Sequence, residues 1–96
     1  MKNRITKNEE RLDSLIESIK SLNKSLESFK KNKKNYKLLN DYYGSKEWFK
    51  DKDDFEKSKI SNIKAGVLSE DAVWNMNEEV SDLIDEMKSI IKDFGD

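Results

Sequence analysis

The chain has 96 residues, 41% of them charged and 34% hydrophobic, with a net charge of −1. That length suits one domain, and so thin an apolar supply suits long amphipathic helices better than a compact globule. Cysteine and histidine are both absent, which excludes disulfides, thiolate zinc sites, cysteine nucleophiles and the commonest general base.

The average charge hides a polarity. Residues 1–44 hold eleven Lys/Arg against six Asp/Glu, whereas residues 69–96 hold two against nine. A basic first helix and an acidic last one attract each other if packed side by side. Proline is absent and glycine occurs three times, at Gly44, Gly66 and Gly95, so helices can run far before a breaker stops them. The longest unbroken apolar run is Ala72 to Trp74, far short of the ~20 residues of a membrane span. The N-terminal stretch has no apolar signal core, and a cytoplasmic location is the expectation. The wealth of Lys, Asn and Ile hints at an AT-rich bacterial genome.

From Ile5 to Tyr43 the apolar residues follow a heptad. With Ile5 at a, the a series is Ile5, Leu12, Ile19, Leu26, Lys33 and Asn40. The d series is Asn8, Leu15, Leu22, Phe29, Tyr36 and Tyr43. Nine of these twelve are apolar, which predicts one helix over about residues 2–43. About 42 residues at ~1.5 Å each give ~63 Å. Gly44 is placed to end it as a left-handed C′ residue.

Residues 44–68 are less regular. Ser45 can cap a short helix carrying Trp48 and Phe49. Lys50 to Lys59 is mostly charged, with Phe55 alone in it. Ile60, Ile63, Val67 and Leu68 resume apolar spacing, and Gly66 reads as a stop. One or two short helices and a loop are expected.

A second strong helix is predicted over about residues 70–94. Ser69 can accept a bond from a first-turn amide, Glu70 and Asp71 sit at the positive end of the dipole, and Leu68 with Val73 occupy the places of a hydrophobic staple. The seam Val73, Met76, Val80, Leu83, Met87, Ile90, Phe94 is unbroken, and Gly95 follows it. The predicted fold is all-α: a long N-terminal helix and a shorter C-terminal one packed antiparallel, as a coiled-coil-like hairpin near +20°. The first helix exceeds the second by roughly 24 Å. That surplus leaves a face of Ile5, Leu12, Leu15 and Ile19 for the middle segment or another chain to cover. A homodimer through the first helix is the expectation, since so small an apolar supply gives marginal stability.

Few features carry chemistry. Lys30, Lys31, Lys33, Lys34 and Lys37 lie on about two turns and could track a phosphate backbone. The bland reading is a solvated face, or one paired with the acidic last helix. The chain is slightly acidic and has two arginines, Arg4 and Arg11, so nucleic acid is the alternative partner rather than the main one. Asp51, Asp53, Asp54 and Glu56 evoke a calcium loop, but Glu56 and Asn62 stand where glycine and glutamate belong. Glu79, Asp82 and Glu86 share a helix face without the histidines of a di-metal bundle. No Gly-rich phosphate loop or nucleophile–base pair can be assembled. No enzyme activity, cofactor, metal or small-molecule substrate is expected.

Trp48, Phe49 and Trp74 stand out. Trp74 sits beside the seam, one place from Val73, where it can point away from the core contact, and tryptophan is favoured at interface hot spots. The preferred reading is that Trp48 and Trp74 pack on each other and pin the middle segment to the last helix, because aromatics supply much of a small core.

The stretches Tyr42-Tyr43-Gly44-Ser45-Lys46-Glu47-Trp48 and Gly66-Val67-Leu68-Ser69-Glu70-Asp71-Ala72-Val73-Trp74-Asn75 resemble those of a family of short, mainly bacterial helical proteins known only as a domain of unknown function. The resemblance covers nearly the whole chain. It implies a single helical domain of bacterial or phage origin and brings no activity, cofactor or partner. That family often carries a proline near the position of Ser61, which this chain lacks. Both motifs flank the middle segment. Trp48, Lys64, Ser69, Glu70, Asp71 and Trp74 are therefore candidate partner-binding residues: first-turn amides near Ser69, with Lys64 close by, could hold an anion or a partner's carboxylate. Ordinary capping by Ser69 and the acidic pair is the preferred alternative.

Overall fold

The structure is a computed structural model that describes residues 1–58 and 63–95. Every regular element among them is helical: α1 (Lys2–Lys31), α2 (Lys33–Tyr42), α3 (Lys46–Ser58), a 3-10 turn (Gly66–Leu68) and α4 (Ala72–Phe94). No helix among the described residues is long and apolar enough to cross a membrane. The expectations for Ile60 and Ser61 lie outside the described residues.

The chain divides into two compact units, Met1–Tyr36 and Lys37–Asp96. In the first unit, the heptad spacing and the absence of Gly and Pro let α1 run for 30 residues, ~45 Å at the usual rise. Lys30 and Lys31 fall in its last turn, where cations suit the dipole. Its side chains are exposed except Leu26, which is half-buried.

The single helix expected over residues 2–43 is interrupted at Asn32. This residue has φ −86° and ψ 0°, and its amide bonds to the Phe29 carbonyl at 3.0 Å, a tightened i→i−3 bond. Its side chain is bonded locally as well. Asn32 Nδ2 donates to the Ser28 carbonyl at 3.4 Å, and Asn32 Oδ1 accepts from Asn35 Nδ2 at 3.1 Å. Short amide side chains compete with the backbone for such partners. Helical bonding resumes at once, with Tyr36 N–H on the Asn32 carbonyl at 2.9 Å.

The second unit turns on Gly44, whose φ of +78° is the left-handed conformation anticipated for it. Ser45 follows and caps α3: its Oγ accepts from Trp48 N–H at 3.1 Å and donates to the Tyr42 carbonyl at 2.6 Å. The charged face of α3 is laced by Lys50–Asp54 at 2.9 Å and Lys57–Asp53 at 2.8 Å, both at the i,i+4 spacing that brings side chains together. Gly66, expected as a stop, instead opens the 3-10 turn.

α4 begins at Ala72, two residues later than expected, with Asp71 at its N-cap position and Glu70 in the preceding turn rather than in the first helical turn. Ser69 has extended backbone, φ −73° and ψ 151°, and its Oγ accepts from Ala72 N–H at 3.1 Å, the geometry of an N-cap. The deepest side chains of the described residues are Trp48 and Val73, each 3% exposed. The small core therefore sits where α3, the 3-10 turn and the start of α4 meet.

Candidate functional site

The two sequence motifs flanking the middle segment come together in space around Trp48. Gly44 reverses the chain, Ser45 starts α3, and one turn later the indole is carried inward. Its Nε1 donates to the Val67 carbonyl at 2.9 Å. Tyr43 packs edge-on against the ring with centroids 5.2 Å apart, and Phe49 does so at 4.9 Å. Lys52 Nζ lies 5.2 Å from the ring centroid, within cation–π range.

The polar groups of the cluster are matched to one another. Lys52 Nζ reaches Glu70 Oε1 at 3.2 Å, so one ammonium serves both the indole face and the carboxylate. The Tyr43 hydroxyl donates to the Glu70 backbone carbonyl at 2.6 Å. The Tyr42 hydroxyl donates to Asp51 Oδ2 at 2.6 Å. That bond, with lesser contributions from burial and from the negative charge of Asp51, pushes the phenol up to about 12, because the neutral donor is stabilised over the phenolate. Further along, Asn77 Nδ2 donates to Asn40 Oδ1 at 2.8 Å, tying α4 to α2.

The candidate residues divide sharply. Trp48 is core. Ser69 and Glu70 are engaged: the Ser69 hydroxyl takes the Ala72 amide, and Glu70 holds Lys52 and Tyr43. Ordinary capping thus occupies a group that could have met an anion. Asp71 and Lys64 are exposed, and Asp71 makes no side-chain capping bond. Trp74 is 57% exposed. The expected stacking of Trp48 on Trp74 is overturned: Tyr43 and Phe49 flank the Trp48 ring, while Trp74, one place after the buried Val73, is turned outward. Neighbouring helix positions differ by about 100° in direction, so only one of the two can face the core.

The apolar residues singled out on α1 are open. Ile5, Leu12, Leu15 and Ile19 are 57%, 50%, 54% and 57% exposed. The lysine run is split by Asn32, with Lys30 and Lys31 on α1 and Lys33, Lys34 and Lys37 on α2; Lys31 pairs with Glu27 at 3.5 Å. No group of three or more Asp or Glu among the described residues could hold a metal ion. Sequence reasoning missed Tyr42, Asp51, Lys52 and the Asn40–Asn77 pair. For the last there was a signal, a polar residue at an a position opposite a second apolar seam.

No curated protein and no solved structure matches the chain. The family described as "domain of unknown function (DUF4298)" matches residues 5–90, nearly the whole sequence, and these residues carry both motifs gathered around Trp48: the chain belongs to that family.

Proposed function

We propose that this protein is an interaction or assembly module that works through helix faces and self-associates through α1 as a coiled coil. The observation that supports this reading is the exposed heptad seam of α1. Ile5, Leu12, Leu15 and Ile19 recur at helical spacing and are all at least half exposed. Scattered surface leucines are ordinary, but a contiguous apolar stripe marks a surface meant to be covered. The motif cluster around Trp48 serves the same reading from the other unit, as a latch of caps and core contacts that fixes α3 and α4.

An antiparallel helical hairpin belongs to this proposal. Two bonds support it: Asn77 of α4 on Asn40 of α2, and the Tyr43 hydroxyl just after α2 on the Glu70 carbonyl just before α4. The oligomer is tested by light scattering at micromolar concentration. A mass of twice 11.3 kDa is expected, falling to the single mass in Leu12→Glu/Leu15→Glu. A monomeric mass for the unaltered chain would refute the reading.

A further inference from the structure

We infer that the second copy lies parallel to the first and in register along α1. The inference rests on the self-association reading above and adds its geometry. Three features of α1 bear on this arrangement: the seam suits two strands, and the charge pattern and Asn8 select the parallel pair over the antiparallel one.

The first is the shape of the seam. Ile5 and Ile19 stand at a, and Leu15 and Leu22 at d. Within a parallel coiled coil, β-branched residues at a with leucine at d favour two strands over three or four. The second is charge. In a parallel pair, a g residue lies beside the e residue five positions on in the other chain. Arg4 at g then meets Glu9 of the second copy, and the contact occurs twice by symmetry. Neither Arg4 nor Glu9 has an ion-pair partner among the described residues, so both are available.

The third is Asn8, the polar interruption at d. Asn8 Nδ2 donates to the Arg4 carbonyl at 2.8 Å, and Asn8 Oδ1 accepts from Arg11 at 3.1 Å. Its polarity is largely met within its own helix. An in-register parallel pair sets Asn8 against Asn8, where the remaining amide hydrogen finds an amide oxygen. An antiparallel pair sets it against the aliphatic side chains at the far end of the seam, with no such partner. A polar seam residue of this kind fixes alignment at a cost in stability.

The test uses engineered thiols, since the natural chain has none. Asn8→Cys in a glutathione redox buffer is expected to give a disulfide-linked dimer, because the two Cβ atoms come within bridging range. Glu10→Cys, on the outer face, is expected not to. A dimeric mass without the Asn8→Cys crosslink overturns the parallel register and leaves self-association standing. A monomeric mass overturns both. A charge swap gives an independent readout without cysteine. Arg4→Glu and Glu9→Arg should each weaken the dimer about two- to fivefold, and the double swap should restore it. Additive losses in the double variant would overturn the pairing.

Discussion

The indole nitrogen of Trp48 donates to the main-chain oxygen of Val67 at 2.9 Å, across 19 residues of sequence. This one bond ties α3 to the 3-10 turn that leads into α4. The Trp48 side chain is one of the two deeply buried among the described residues, with Val73 the other. Trp48→Phe keeps the aromatic body and strands the Val67 carbonyl, which should cost about 1–3 kcal/mol. Trp48→Ala also opens a void and should cost about 3–5 kcal/mol. Urea unfolding followed by helical circular dichroism reads both. Equal losses in the two variants would show that the hydrogen bond, and not the packing, dominates.

Gly44 supplies the left-handed turn that sets the motif cluster in place. A Cβ there meets nothing within 4 Å, so the cost of a side chain is that of the backbone alone. Gly44→Ala should destabilise the protein by about 1–2 kcal/mol. Gly44→Asn should lose less, since asparagine tolerates this region. A Gly44→Ala variant as stable as the natural protein would remove the turn from the account.

Tyr42 makes stability depend on alkaline pH. Its phenol is pushed up to about 12 by Asp51 from an ordinary value of 10.0. The folded state therefore holds this proton more tightly than the unfolded one. The stabilisation is complete below the unfolded value and is lost as pH rises from about 10 towards 12. A tyrosinate absorbance titration should show one of the three tyrosines ionising late. Tyr42→Phe and Asp51→Asn should each abolish that late phase. Its survival in Asp51→Asn would assign the shift to burial.

The lysine run gives the protein-interaction reading a direct competitor. Low-salt gel shifts with DNA and RNA should show no retention. Retention that falls steeply with salt and vanishes in Lys30/Lys31/Lys33/Lys34→Glu would move the function to nucleic acid, since counterion release is the mark of phosphate contacts.

What could be read from the sequence was local. Gly44, Ser45 and Ser69 act within a turn of their own positions, and glycine conformation and hydroxyl capping depend on little else. The helical nature of α1, α2 and α4 follows from the heptads in the same way. What could not be read depends on which surfaces meet. Trp74 stands one place after Val73, beside a regular seam, and that spacing does turn it outward; Trp48 lies in the irregular middle segment, where no seam says which way it goes. Lys52 sits in a run of charges, where no pattern marks it as the one that lies over an indole. The interruption at Asn32 is hidden for another reason. The heptad frame runs past it from Phe29 to Tyr36 with Lys33 between them, and the side-chain bond of Asn32 to the Ser28 carbonyl has a counterpart at Asn8, where the helix is unbroken.

In the antiparallel packing proposed above, the Asn40–Asn77 bond acts as a detent more than as a source of strength. Sliding α4 by one turn, about 5.4 Å, would leave two amides facing hydrocarbon. An aliphatic pair at these places would grip as well, yet it would tolerate the slip. Asn40→Leu/Asn77→Leu should then raise the unfolding midpoint while broadening the amide resonances of α4, because neighbouring alignments become nearly equal in energy. In that packing the natural pair gives up some adhesion and in return admits a single seating.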